Sequence, residues 1–459
     1  MVNRSNEQTH NSPLAIEMSM KKIVFILLMM IRFADAKPVT YSFEKDIQPA
    51  VFSITLVMMH DVVDPALASR YYSYCTLGAD AIVSQFNHEI PAPSSYIKSF
   101  PSIIIKEDKS SFNYQVAALY CIYETGKTLL PSGYLLEDKQ KKYVDKLKKE
   151  KIALSVIQQS IDVAKEVSQK IVEYSKTDNY NKLSTLVAYT PKKGDEYWYP
   201  TPPGYFEAVQ PHWNTIRPMI IDSCTEFKPP KPTEFSKDST AKFYQLAMEV
   251  YHALNAKDSV ERTEIAGFWD CNPFNLSTAG HLMIGFKKMS PGGHWMNIAS
   301  IASQKAKIGF DKSIQVQALT AVTLMDAFIS CWDEKYRSNR IRPETYINRY
   351  IDVHWQPILQ TPPFPEYTSG HSMISSAAAE ILTYLFGYDF DFTDNSESMF
   401  ELKPRTFHSF KEAAAEAAIS RLYGGIHFSD SIINGSICGK KIGEYVVQKI
   451  KTAGVKPAV

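Results

Sequence analysis

Thr368-Ser369-Gly370-His371 leads straight into Ser372 to Leu385, a run of small and apolar side chains with the three- and four-residue spacing of a helix. The first amides of a helix have no intrahelical acceptor, and Gly370 lets the backbone approach a ligand closely. This junction therefore suits an anion. Two further segments place cations at helix ends. Upstream, Lys335-Tyr336-Arg337-Ser338-Asn339-Arg340-Ile341-Arg342-Pro343 follows an apolar helix, and Arg342 precedes a proline that cannot continue it. Downstream, Ser420-Arg421-Leu422-Tyr423-Gly424-Gly425-Ile426-His427 lets Arg421 close one helix, two glycines turn the chain and His427 open another.

Taken singly, these segments also read as a solvated basic turn or a capping histidine. Taken together they form a cage for a tetrahedral oxyanion. Two arginines and a lysine neutralise its oxygens, and Ser369 and the Gly370 amide add hydrogen bonds. One histidine bonds the central atom while another moves protons on the opposite side, a division that needs two histidines from different segments. The chain supplies His371 and His427.

The order K-x6-RP, SGH, SR-x5-H resembles the signature of the type 2 phosphatidic acid phosphatase and vanadium haloperoxidase superfamily. The gaps fit as well: residues 344–367 separate the first two motifs and residues 372–419 the last two. The resemblance implies an all-α fold of helical bundles, with the active site at helix ends in the C-terminal bundle. It further implies vanadate held through His427, with Lys335, Arg342, Ser369, Gly370 and Arg421 on its oxygens and His371 as the acid–base group. Hydrogen peroxide and halide would then be the substrates. The alternative within the superfamily is a soluble acid phosphatase acting on a phosphate ester, with phosphate in the same cage and a phosphohistidine at His427. Trp332 and Phe364 stand where chloroperoxidase-like members line a halide pocket; both also read as core aromatics. Asp270, in Phe268-Trp269-Asp270, resembles the carboxylate that tunes the acid–base histidine, and reads equally as a helix N-cap. Two positions depart from the pattern. Thr368 replaces the usual proline. Ser431 stands where the phosphatases carry the aspartate that orients the last histidine, with Asp430 one residue early and about 100° around a helix.

Outside the motifs, the chain is predominantly helical, with apolar periodicity over 66–86, 111–130, 240–256, 296–332, 370–386, 409–423 and 430–451, and a charged helical pair over 135–177. Nine of the 26 prolines fall in 190–235 among tryptophans and tyrosines, so this stretch reads as an ordered, non-helical connection. The expected organisation is an N-terminal extension and signal peptide (1–36), an N-terminal helical region with the proline-rich connection (37–235) and a catalytic helical domain (236–459). Lys21-Lys22, the apolar Ile23 to Ile31 and Ala34-Asp35-Ala36 have the n-region, h-region and cleavage pattern of export, periplasmic or secreted, with no stable membrane span. With 50 Lys and Arg against 49 Asp and Glu, the chain lacks the basic excess of a nucleic-acid-binding protein. The six cysteines show no metal-ligand spacing and read as buried apolar side chains, with one or two disulfides open in an exported protein. His281 and His294 read as loop residues, and no second cluster supports a metal at His60-Asp61.

Overall fold

A computed structural model describes residues 41–107, 111–253, 258–279 and 282–459. The signal-like segment over 1–36 and His281 lie outside the described residues. Helices α1 (Ile47–His60), α2 (Pro65–Phe86), α3 (Tyr114–Leu129), α4 (Glu137–Lys149) and α5 (Leu154–Ser175) come first. After the proline-rich connection follow α6 (Lys242–Ala253), α7 (Ser259–Phe268) and the ribbon β1–β2 (Asn275–Ala279, Leu282–Phe286). Next come α8 (Pro291–Ala306), α9 (Phe310–Ser338), α10 (Pro343–Tyr350) and α11 (Gly370–Phe386). A second ribbon, β3–β4 (Phe392–Asp394, Arg405–Phe407), precedes α12 (Phe410–Tyr423) and α13 (Ser429–Thr452). The all-α expectation holds, with two short ribbons added.

Helix α9 is the axis of the bundle, packing on α2, α8 and α11. It is long and apolar enough to cross a membrane, but its apolar window is wholly buried inside the protein, as befits a core helix. Asp326 sits mid-helix, where its carboxylate accepts the amides of Met219, Ile220 and Ile221 and so ties the connection to the core. The segment 296–332, expected as one helix, is two. Lys307 adopts a left-handed conformation (φ 52°) and Gly309 caps the new start, turning the chain between α8 and α9.

Helix α11 packs most extensively on α13. A Cβ at Gly439 would fall 2.0 Å from the Met373 carbonyl, so only glycine permits this approach. The approach brings the start of α11, with Ser369 and Gly370, beside the start of α13, which follows His427. Residues 43–459 form one compact unit. The connection over 190–235 is non-helical apart from one turn at Trp213–Thr215, and buries Trp198 and Trp213 completely. It threads through the site loops. Trp198 bonds the Asn339 carbonyl, Ile341 bonds the Glu196 carbonyl, and the Val209 carbonyl accepts from Trp332 and Tyr336.

Candidate active site

The three predicted segments meet at one narrow cavity. Gly370, His371, Arg421, His427, Trp332 and Phe364 line it. Lys335, Arg342 and Ser369 sit directly behind this lining, fully buried. Pro343 does not end a structure here: it occupies the first turn of α10, where a missing N–H costs nothing, and Arg342 takes the cap position.

His427 is fixed in one tautomer. Arg342 Nη1, which can only donate, lies 3.0 Å from its Nε2. The other nitrogen, Nδ1, therefore carries the proton and donates to Glu366 Oε1 at 2.8 Å. Burial, followed by the charges of Arg342, Lys335, Arg421 and Arg340, pushes its pKa well below the usual histidine value. The ring is thus a neutral imidazole whose Nε2 lone pair lies among guanidiniums.

The carboxylate on this histidine is not at the position the sequence suggested. Ser431 Oγ lies 3.4 Å from Nδ1, a weak contact at best. Asp430 is neither an N-cap nor a partner of His427; it makes a bidentate pair with Arg340, both bonds 2.8 Å. The working carboxylate is Glu366, within Pro362-Pro363-Phe364-Pro365-Glu366, which also accepts the Phe428 amide and binds Arg340. His427, Glu366, Arg340 and Asp430 thus form one chain of alternating partners.

The cations are unequally committed. Lys335 Nζ gives its three protons to the carbonyls of Pro365, Glu366 and Thr368 at 3.1, 3.1 and 2.6 Å. Burial pushes its pKa down to about 7. Its role as an oxygen ligand would require exchange of one of these bonds. Arg342 donates Nε to Phe364 and Nη1 to Ile426, and its buried Nη2 has no partner. Burial pushes this guanidinium down to about 9. Arg421 bonds the Trp269 carbonyl through Nη1 at 2.9 Å, and its buried Nε is unpartnered. Ser369 caps α11, accepting from the amide and hydroxyl of Ser372.

His371 also bonds the Trp269 carbonyl, which can only accept. Its Nε2, buried and without a partner, then bears the lone pair. Burial and the charges of Arg421 and His427 push its pKa well below the usual value. Asp270 is therefore reassigned. Its carboxylate bonds Lys288 (2.8 Å) and Asn275 (3.1 Å), and it is the preceding backbone carbonyl that orients His371. Trp332 and Phe364 face each other at 5.0 Å across the cavity wall. His294 is not a loop residue: Ser290 and Pro291 open α8 ahead of it, and the ring is buried against Trp269. All six cysteines are free, five of them buried.

Arg421 Nε and His371 Nε2, on residues that line the cavity, and Arg342 Nη2, on a residue just behind it, are buried polar atoms without a partner, which marks the protein as an oxyanion-binding helical bundle. Residues 315–454 match the family described as the VCPO second helical-bundle domain. The chain is similar to the crystal structure of the first bacterial vanadium-dependent iodoperoxidase, with 39% identity and a TM-score of 0.82, over 88% of this chain and 96% of that one. It shares its fold with a bacterial vanadium-dependent chloroperoxidase in the holo form (15% identity, TM-score 0.65, 86% of this chain and 93% of that one). The apo form of such a chloroperoxidase gives 15% identity and a TM-score of 0.64, over 85% of this chain and 95% of that one. No curated protein matches the chain. The chain belongs to the vanadium-dependent haloperoxidase family.

Proposed function

We propose that the protein is an exported vanadate-dependent haloperoxidase that uses hydrogen peroxide to oxidise halide, iodide foremost. The observation that carries this reading is the neutral His427, its Nδ1 proton held by Glu366 and its Nε2 beside arginines that keep unpartnered N–H groups. The likeness to the iodoperoxidase supports iodide, and the pattern over Lys21 to Ala36 supports export.

The residues fit vanadate. His427 Nε2 would bind it on giving up its bond from Arg342 Nη1, and Arg342 Nη2, Arg421 Nε and the first amides of α11 would hold its oxygens. Bound there, vanadate supplies an electrophilic centre that activates peroxide toward a halide. Glu366 keeps the proton on Nδ1 and the lone pair on Nε2. His371, neutral and held by Trp269, accepts a proton at Nε2. Trp332 and Phe364 close the apolar side of the cavity and limit water.

Glu366 also favours a second reading, since a carboxylate on Nδ1 would raise the nucleophilicity of His427 toward a phosphate ester. One experiment separates the two. The vanadate-free protein is assayed for peroxide-dependent oxidation of iodide, bromide and chloride before and after vanadate is added. Activity that appears with vanadate supports the haloperoxidase. Phosphate-ester hydrolysis that vanadate inhibits, without halide oxidation, overturns it in favour of the phosphatase.

A further inference from the structure

Beside Trp269, at the edge of the same cavity, lies a second cluster. Cys271 follows α7, His294 sits in the first turn of α8, and Glu397 belongs to a short turn at Ser396–Phe400. All three are buried. Cys271 Sγ lies 3.4 Å from His294 Nδ1, His294 Nδ1 lies 3.3 Å from Glu397 Oε1, and Cys271 Sγ lies 3.9 Å from that oxygen. A tetrahedral zinc ion with ordinary bond lengths holds such ligand atoms about 3.3–3.7 Å apart. The three atoms therefore already stand near the corners of one tetrahedral face.

The surroundings match a metal site in two further ways. His294 Nε2 lies 2.7 Å from Asp394 Oδ2, a carboxylate that would keep the proton on Nε2 and turn the Nδ1 lone pair toward an ion. A thiol, a carboxylate and an imidazole, drawn from separate elements, are a borderline-soft donor set of the kind zinc selects.

We infer that Cys271, His294 and Glu397 bind a zinc-class divalent cation in a structural site beside the cavity. Such an ion fastens the turn after α7, whose Trp269 carbonyl receives both Arg421 and His371. It would brace the oxyanion cage from behind without touching the reacting groups. Zinc on the Cys271 sulfur would also remove a free thiol from the lining of the cavity.

The test is metal analysis of tag-free protein, followed by cobalt(II) titration of the metal-stripped protein. The expected results are one zinc per chain and, with cobalt, a thiolate charge-transfer band. That band should vanish in Cys271→Ala, weaken in Glu397→Gln and persist in Cys224→Ala, whose thiol lies elsewhere on the fold. Removal of zinc should lower Tm, and zinc alone should restore it. Wild-type protein that retains no zinc and gives no cobalt charge-transfer band overturns the proposal, as does a band that survives Cys271→Ala. Because the wild-type spectrum decides by itself, a variant that fails to fold leaves the test intact.

Discussion

Two buried arginine sites in this protein are built on opposite plans. In the N-terminal half, Arg70 is buried against Asp178, with Nε at 2.6 Å, and Tyr74 and the Tyr180 amide bond the same carboxylate. Burial opposes its charge, but Asp178 and Tyr74 outweigh burial and raise its pKa. At the cavity, Arg342 and Arg421 are equally buried, yet burial prevails and lowers both. Each also keeps one N–H group with no partner. The first site is complete within the chain. The second has its electrostatic complement outside the chain, and an anion completes it. Unsatisfied buried charge is costly, so its concentration in one cavity marks where the fold gives up stability for binding.

His427→Ala gives the largest effect expected. Halide oxidation should fall to the vanadate-free background, because the imidazole that would bind the oxyanion is gone. Steady-state assays at saturating peroxide check this, and full activity would remove His427 from the site. The arginine contrast is then tested directly. Arg70→Ala should lower unfolding stability by about 3–5 kcal/mol, since it strands Asp178 in the core. Arg421→Met should weaken phosphate or vanadate binding by about 2–5 kcal/mol. In the anion-free protein, by contrast, it should cost no more than about 1 kcal/mol, the scale of one lost hydrogen bond. Equal stability losses in the two variants would erase the distinction.

The N-terminal half has its own exception. Asp80 is fully buried, bonded only to the Tyr96 hydroxyl, and burial raises its pKa to about 7. A carboxyl raised in the folded state favours folding while protonated, and that contribution fades as pH climbs from about 4 toward 7. Asp80→Asn does not titrate and still accepts the Tyr96 bond. Relative to wild type it should gain up to about 4 kcal/mol between pH 4 and pH 8, the value of about three pKa units. Denaturant titrations at the two pH values measure this, and parallel pH profiles would refute it.

The helices were legible because their apolar side chains recur at helical spacing, and the cage was legible because its residues cluster in three short motifs. What escaped lay in irregular backbone. Glu366 sits in a proline-rich loop with no periodicity, and only its fold places it on Nδ1 of His427. Asp270 was overread because its neighbour Trp269 supplies the contact through a carbonyl, an atom every residue has. His294 was misread because Gly292-Gly293 suggests a loop, whereas Gly293 is there to fit Tyr72: a Cβ would lie 2.7 Å from its hydroxyl oxygen. Glu366→Gln tests the missed residue. It keeps the shape but loses the charge opposite Arg340, and should weaken vanadate binding or activity by about 10–100-fold. Activity titrated against vanadate reads the loss, and an unchanged curve would return the role to another group.

Ser431→Ala is the counterpart and the smallest effect expected. By sequence position, residue 431 is where an orienting carboxylate belongs. By geometry, its hydroxyl stands 3.4 Å from both His427 Nδ1 and the Glu366 carbonyl, at the limit of a hydrogen bond. Glu366 Oε1, at 2.8 Å, already takes the Nδ1 proton, and a proton so held is not shared usefully with a more distant oxygen. Removing the hydroxyl should therefore change activity by less than about twofold, well within the scale of one weak neutral hydrogen bond. A tenfold loss would mean that the serine shares the orienting role. The comparison between residue 431 and Glu366 would then turn on a pair of groups acting together, which the double variant would show as non-additive losses.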